Sequence, residues 1–238
     1  MQKHNLSAEA DKNDAVRQSR RKFLQFTGGA ALLATGLSSC QKIKEYLPKP
    51  GGGGGGTSPG VDLGSGDVGI LNYAYALEQL EAAFYIKVQE SPYSGITSFE
   101  KTLLGDIRNH EIAHREFFKN ALADKAIMKL DFDFSSIKFN DRGSVLATAK
   151  AFEDLGVSAY NGAGSLIQST DYLLLAGKIV SVEARHAAFI RDLIDYGSFA
   201  DASVINNSGL DTSRKPADVL AIAGKYIKNK IDASKLPS

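Results

Sequence analysis

A chain of 238 residues with 43% hydrophobic content can bury a sizeable core, and its length suggests one domain with appendages. Its 28 basic and 27 acidic residues leave a formal charge of +1, which excludes the broad basic footprint of a nucleic-acid binder. The lone cysteine, Cys40, excludes an intramolecular disulfide even in an oxidising compartment.

That charge averages two unlike parts. Residues 1–40 hold six Lys/Arg against three acids, leaving 22 basic and 24 acidic residues after them, a charge of −2. The basic front end has the layout of an export signal: charged to Lys22, apolar from Phe23 to Leu37, then small residues and Cys40. The apolar run is about fifteen residues with two central glycines, short of the roughly twenty that span a membrane. "SRRKFL", with Arg20 and Arg21, resembles the twin-arginine export motif, which carries proteins across already folded. Leu37-Ser38-Ser39-Cys40 is similar to a bacterial lipobox, in which Cys40 is lipidated and becomes the mature N-terminus; otherwise a lone cysteine is a small core residue. Residues 1–39 therefore read as a signal peptide and 40–66, with six consecutive glycines, as a flexible tether. The expectation is an exported lipoprotein of the periplasm or cell envelope, held to the membrane through Cys40.

From Asp67 the apolar positions repeat with helical spacing. The first predicted helix, about 67–90, carries a stripe of Ile70, Ala74, Leu77, Glu81, Phe84 and Val88, with Leu71, Glu78 and Tyr85 beside it. Two glutamates thus fall on the face that should be buried. Pro92 and Gly95 mark the turn that ends it. The second helix, about 98–123, aligns Leu103, Ile107, Glu111, His114, Phe118 and Ala121, flanked by His110 and Phe117. Residues 124–141 alternate partly like a strand and form a long crossing connection to the third helix. That helix, about 142–168, buries Val145, Ala149, Phe152, Glu153, Gly156 and Tyr160. The fourth, about 170–195, buries Ala176, Ile179, Val180, Glu183, His186, Ala187, Ile190 and Ile194, with Thr170–Asp171 as its cap. The bundle so defined covers 67–196. In the extension 197–238 only residues 216–228 read as a further short helix, with Pro216 near its first turn.

An ionised carboxylate facing a core without a partner is costly. Here each of the four helices turns at least one glutamate inward, and a bound cation compensates all of them together. Residues three apart share a helix face, so Glu111 with His114 and Glu183 with His186 each direct two donors to one point. "NHEIAHREFF" (109–118) also carries a rival reading: from His110 it is H-E-x-x-H, the zinc-protease pattern. That pattern needs a third ligand, for which the stretch downstream offers Asp131 and Asp133 in a non-helical connection and no His or Glu there, and it gives no role to "EARH" (183–186). A reading with two metal ions, built on both E-x-x-H motifs, uses both stretches and leaves His110 as a neighbour of the site. Tyr85 and Tyr160 each stand seven residues after a candidate glutamate, placed to hydrogen-bond carboxylates, although core tyrosines with ordinary hydrogen bonds are commoner. Gly156, Gly162 and Gly164 read as close-packing points, and Arg185 as an exposed helix residue. The alternative to metal is a bundle in which Glu–His hydrogen bonds serve as buried polar contacts.

"LNYAYALEQLEAAFY" (71–85), "NHEIAHREFF" (109–118), "FEDLGVSAYNGAG" (152–164) and "IVSVEARHAAFIRDLI" (179–194) resemble the four helix signatures of the ferritin-like superfamily, above all its exported, desiccation-related branch. The resemblance covers about residues 67–230. It implies an all-α fold, a left-handed four-helix bundle with a long crossover between helices two and three, around a carboxylate-bridged pair of iron or manganese ions. It implies Glu111 and Glu183 as bridging carboxylates, His114 and His186 as the single imidazole on each metal, and Glu153 as the terminal carboxylate of the third helix. On the first helix Glu78 stands six after Asn72 and seven before Tyr85, as the ligand does in bacterioferritin, whereas Glu81 is nearer the centre of the buried stripe. Both stay candidates, Glu78 first. The implied reactants are hydrogen peroxide, dioxygen or ferrous iron, and the implied chemistry is peroxide removal or ferrous-iron oxidation. The alternative function is a non-catalytic, stress-related bundle that stores metal or serves as a module at the membrane. A tethered N-terminus argues against a closed storage shell and leaves a homodimer open.

Overall fold

The structure, a computed structural model, describes residues 60–237. Arg20, Arg21, Cys40 and the run of six glycines lie outside the described residues. Four long helices dominate: α1 (Gly66–Glu90), α2 (Ser98–Leu122), α3 (Arg142–Gly164) and α4 (Thr170–Ile194). A short helix α5 (Pro216–Ala223) and two two-residue strands, β1 (Val61–Asp62) and β2 (Ile231–Asp232), complete the regular structure. The protein is thus an all-α bundle. No helix among the described residues is long and apolar enough to cross a membrane.

Three of the four long helices, α2, α3 and α4, start where the chain offers a side-chain acceptor for their free backbone N–H groups. Thr97 and Glu100 form a reciprocal capping box on α2. Asp141 accepts from the Ser144 amide at 2.6 Å on α3. On α4 the cap is Ser169, which accepts from the Tyr172 amide, one residue earlier than the expected Thr170–Asp171. α3 stops at Gly164 rather than near 168 because the next residues are claimed by another helix: the Asp67 carboxylate of α1 takes the amides of Gln168 and Ser169 at 2.8 and 2.9 Å. Local propensity loses to that tertiary contact. Ile194, expected inside, is exposed at the end of α4.

α1 pairs with α2 and α3 with α4, while α1 also meets α3. α1 is the central helix, with every residue from Gly69 to Ala82 buried, and it organises the aromatic end of the core. The fully buried Phe84 ring lies 5.0 Å from Tyr85 and 5.2 Å from Phe152, edge to face, and Phe152 in turn meets Tyr226 at 4.9 Å.

Residues 123–141 form the long crossover between α2 and α3, opening with a 3₁₀ turn at Ala123–Lys125. Two buried carboxamides of α1 hold it. Asn72 donates to the carbonyls of Leu63 and Lys125 and accepts from the Ile127 amide, and Gln79 accepts from the Leu130 amide at 2.9 Å. The strand-like alternation of 124–141 yields only one antiparallel bridge, Phe132 to Ile227. Its partner is the tail: the Asp133 amide donates to Tyr226 and the Lys228 amide to Asp131. For the same reason the last helix, expected to reach Lys228, ends at Ala223; Tyr226 turns back onto Ala223 and Ile227 bridges to Phe132 of the crossover.

β1 and β2 pair in parallel, Val61 with Ile231 and Asp62 with Asp232. Residues 60–66, which composition assigns to the tether, therefore belong to the folded unit, with Leu63 wholly buried. The segment after 197 is likewise part of it. Val219 and Ala223 are fully buried, and the Arg191 guanidinium grips Asp154 of α3 at 2.8 Å twice while also reaching Asp201 and Ser203.

Candidate metal centre

The inward glutamates of the sequence meet halfway along the bundle. α2 contributes Glu111 and His114, and α4 contributes Glu183 and His186, each pair one helical turn apart. α1 adds Glu78 and α3 adds Glu153; all four carboxylates are fully buried. His114 Nδ1 lies 2.7 Å from Glu183 Oε1, 3.5 Å from Glu78 Oε2 and 3.7 Å from Glu111 Oε2. His186 Nδ1 lies 2.9 Å from Glu111 Oε1, 3.4 Å from Glu153 Oε2 and 3.6 Å from Glu183 Oε2. Glu111 and Glu183 thus present one oxygen to each histidine, whereas Glu78 faces only His114 and Glu153 only His186. The side chains form two overlapping donor groups, Glu78, Glu111, His114, Glu183 and Glu111, Glu153, Glu183, His186, whose donor atoms lie within 4.8 Å of one another. The pairings also show that α2 runs antiparallel to α4, with a near two-fold relation between the helix hairpins.

Two tyrosines complete that symmetry by crossing it. Tyr85 of α1 donates to Glu153 Oε1 of α3 at 2.5 Å, and Tyr160 of α3 donates to Glu78 Oε1 of α1. Each therefore bonds the carboxylate of the opposite helix, not the one seven residues before it, because α1 and α3 run antiparallel. With one oxygen of each terminal carboxylate occupied, the other is left facing its histidine.

The remaining donors are orphans. Glu78 Oε2, Glu153 Oε2, both oxygens of Glu111 and Glu183, and Nδ1 of both histidines are buried without a directed hydrogen bond, although they lie within ion-pair distance of one another. Buried polar atoms normally have partners, and atoms that converge on common points without aligning to each other are placed for cations. An oxygen-rich set with one imidazole per group suits iron or manganese. Four carboxylates also balance the charge of two divalent ions.

Electrostatics describe the same demand in proton terms. Burial alone would lower the His114 and His186 imidazoles, but the carboxylates facing them hold both up, at about 12. Burial raises Glu183, yet His114 and His186 outweigh it and bring that carboxyl down to about 2. Burial and the Glu183 charge push Glu78 up and Glu111 well up. Glu153 is raised to about 7 by burial, against the opposing pull of His186 and Tyr85. Without metal, then, protons take the place that cations would fill.

The ferritin-like domain family matches residues 66–195, more than half of the chain and the whole of α1 to α4. The chain belongs to the ferritin-like domain family. No curated protein matches it. The ferritin-like bundle places the remaining candidates as follows. Glu81, also buried, lies in neither donor group and sits against α3, where a Cβ at Gly156 would come within 3.0 Å of Glu81 Oε1. Burial, then the charges of Glu183, Glu111, Glu153 and Glu78, push its carboxyl well above the usual range, so it holds its proton. Gly156 is therefore room for a carboxylic acid as well as a packing point. At Gly162 a Cβ would fall 1.8 Å from the Arg214 carbonyl oxygen, so the close approach there is to the tail, whereas Gly164 makes only an ordinary contact, with Leu173. Arg185 is exposed and bonds the Ser181 carbonyl. His110 does not join His114 on a common ion; its Nδ1 lies 2.9 Å from His186 Nε2, which removes the geometry that the H-E-x-x-H zinc reading requires. The spacing of the tyrosines signalled carboxylate contacts but carried no information on which helix they would reach.

Proposed function

We propose that this ferritin-like bundle holds two ions of iron or manganese and uses them for redox chemistry on hydrogen peroxide or dioxygen, as a catalase- or peroxidase-like enzyme or a ferroxidase in stress protection. One observation carries the reading: Glu111 and Glu183 each offer one oxygen to either histidine, the arrangement that two neighbouring cations need and one does not. Glu78 and His114 would hold one ion and Glu153 and His186 the other, with Glu111 and Glu183 within reach of both. When bound, such a pair supplies two electrons to an oxidant by passing between the +2 and +3 states. Everything else falls to the chain's own groups. Tyr85 and Tyr160 fix the terminal carboxylates so that each keeps one free oxygen on the site. Glu81 keeps a proton inside the bundle, beside the acids it does not join. The fully buried carboxylates exclude bulk water, and the His114 side chain, 12% exposed, marks the α2–α4 side as the route for small reactants. Exported through its twin-arginine signal and lipidated at Cys40, as its front end suggests, the protein would do this chemistry at the cell envelope.

Metal analysis of the purified chain tests the reading. About two iron or manganese ions per chain are expected. Glu183→Ala should lose both, whereas Glu78→Ala should lose only the ion beside His114. Peroxide consumption or ferrous oxidation should fall with the metal. A chain that takes up no iron or manganese, or one whose loaded form consumes neither oxidant, overturns the enzymatic reading, and in the second case leaves a metal-storing bundle.

A further inference from the structure

The first histidine of "HEIAH" is left without a task by the donor groups, yet its placement is specific. His110 is exposed on α2, one residue before Glu111, and its Nδ1 meets Nε2 of His186 on α4 at 2.9 Å. The two ring planes differ by only 6° and the ring centroids are 5.1 Å apart. Parallel rings that touch through nitrogen at that centroid separation meet edge to edge, so the contact lies in the plane where imidazole carries both its N–H and its lone pair. The opposite nitrogen of His186, Nδ1, faces Glu111, Glu153 and Glu183.

We propose that His110 is a positioning residue that fixes the tautomer of His186 and thereby makes the two metal positions unequal. The proposal rests on the metal reading above. To bind a cation through Nδ1, His186 must carry its proton on Nε2, and His110 Nδ1 is then the acceptor of that N–H. A ring N–H held this way orients the imidazole and makes its free nitrogen a better donor. His114 has no such support: its Nε2 has no hydrogen-bond partner among the described residues, and its side chain is the more open of the two. The near two-fold symmetry of the carboxylates and tyrosines is thus broken at the imidazoles, by a residue that local sequence assigns to a different motif. The ion held by Glu153 and His186 is bound more tightly than the ion held by Glu78 and His114, so the positions fill in order.

Cobalt(II), which accepts the same oxygen and imidazole donors, is the probe, titrated into the metal-free full-length protein. Wild type should show two unequal affinities. His110→Phe keeps a ring but removes the acceptor; it should weaken the tighter position by about 10-fold and leave the other unchanged. His110→Asn, whose side-chain oxygen can take the place of Nδ1, should restore most of the loss. A second readout separates positioning from packing. In the loaded protein the paramagnetically shifted N–H proton of His186 should exchange slowly with solvent in wild type and the Asn variant, and rapidly in the Phe variant, while that of His114 exchanges rapidly in all three. Equal affinities in wild type, an unchanged Phe variant, a parallel loss at both positions, or failure of Asn to rescue would each overturn the assignment. Wild type that binds no cobalt, iron or manganese sinks the metal reading itself, and this shows in the first titration, before any variant is compared.

Discussion

If the cluster holds two ions as proposed, removing them should destabilise the protein by an amount that grows with pH. Each ion present at about 1,000 times its dissociation constant adds about 4 kcal/mol to the folded state, so two add roughly 8 kcal/mol. For a folded unit of this size that corresponds to a rise in Tm of about 20 °C. The pH dependence follows from the protons that the metal-free cluster holds. Glu153 has its carboxyl at about 7 in the fold against 4.5 in the unfolded chain. Between those values the folded state keeps a proton that the unfolded state has lost, so stability falls as pH rises, by about 3 kcal/mol across the window. His114 and His186, at about 12 against 6.5, contribute stability that is fully present below 6.5 and drains away as pH climbs toward about 12. Glu183, at about 2, acts in the opposite direction, but its window lies between about 2 and 4.5. Above pH 4.5, therefore, Glu153 and then the two histidines make the metal-free form weaker as pH rises, while loss of protons favours the cations that compete with them. Calorimetry of metal-free and manganese-loaded protein, in steps from about pH 5 to about 8, should show a gap in Tm that widens steadily. Taking the difference cancels every titration outside the site. A gap that is constant or narrows with pH would refute the reasoning, because it would mean that metal and protons do not compete for these donors.

The crossed tyrosines and the tail supply two further tests. Tyr85→Phe leaves a fully buried carboxylate oxygen of Glu153 without its donor, and Tyr160→Phe does the same to Glu78; each should cost about 2 kcal/mol in denaturant unfolding of the metal-free protein. A change under a few tenths of a kcal/mol in both would show that the hydroxyls do not hold the carboxylates. Gly162→Ala puts a Cβ 1.8 Å from the Arg214 carbonyl oxygen, a backbone atom that no rotamer change can clear. The tail should be displaced from α3 at a cost of about 3 kcal/mol, read as a lower Tm and faster proteolysis after residue 200, whereas Gly164→Ala should be close to neutral.

The sequence by itself determined whatever depends on neighbours along one helix. Glu111 with His114 and Glu183 with His186 share a face because the α-helix repeats every 3.6 residues, and no partner is needed to know it. The glutamates on apolar stripes likewise announced a polar centre, since burial of a lone charge is too costly to be incidental. The capping box at Thr97 and Glu100 could have been read in the same way. Only the tertiary structure decided what depends on how one helix is rotated and directed against another. It brought Glu78, and not Glu81 one turn on, into the donor groups, and it set Glu81 against Gly156 instead. The antiparallel run of α1 and α3 sent each tyrosine to the opposite carboxylate. His110 was turned away from His114 toward His186, dissolving a motif that is valid as a pattern of letters. Residues 197–237, polar apart from one short helix, became the closing segment of the fold because their few apolar side chains and their backbone pair with a crossover far away in the chain. Periodicity is a property of one helix and is written locally; rotation, direction and partner are properties of the packed core, where many weak contacts are satisfied at once.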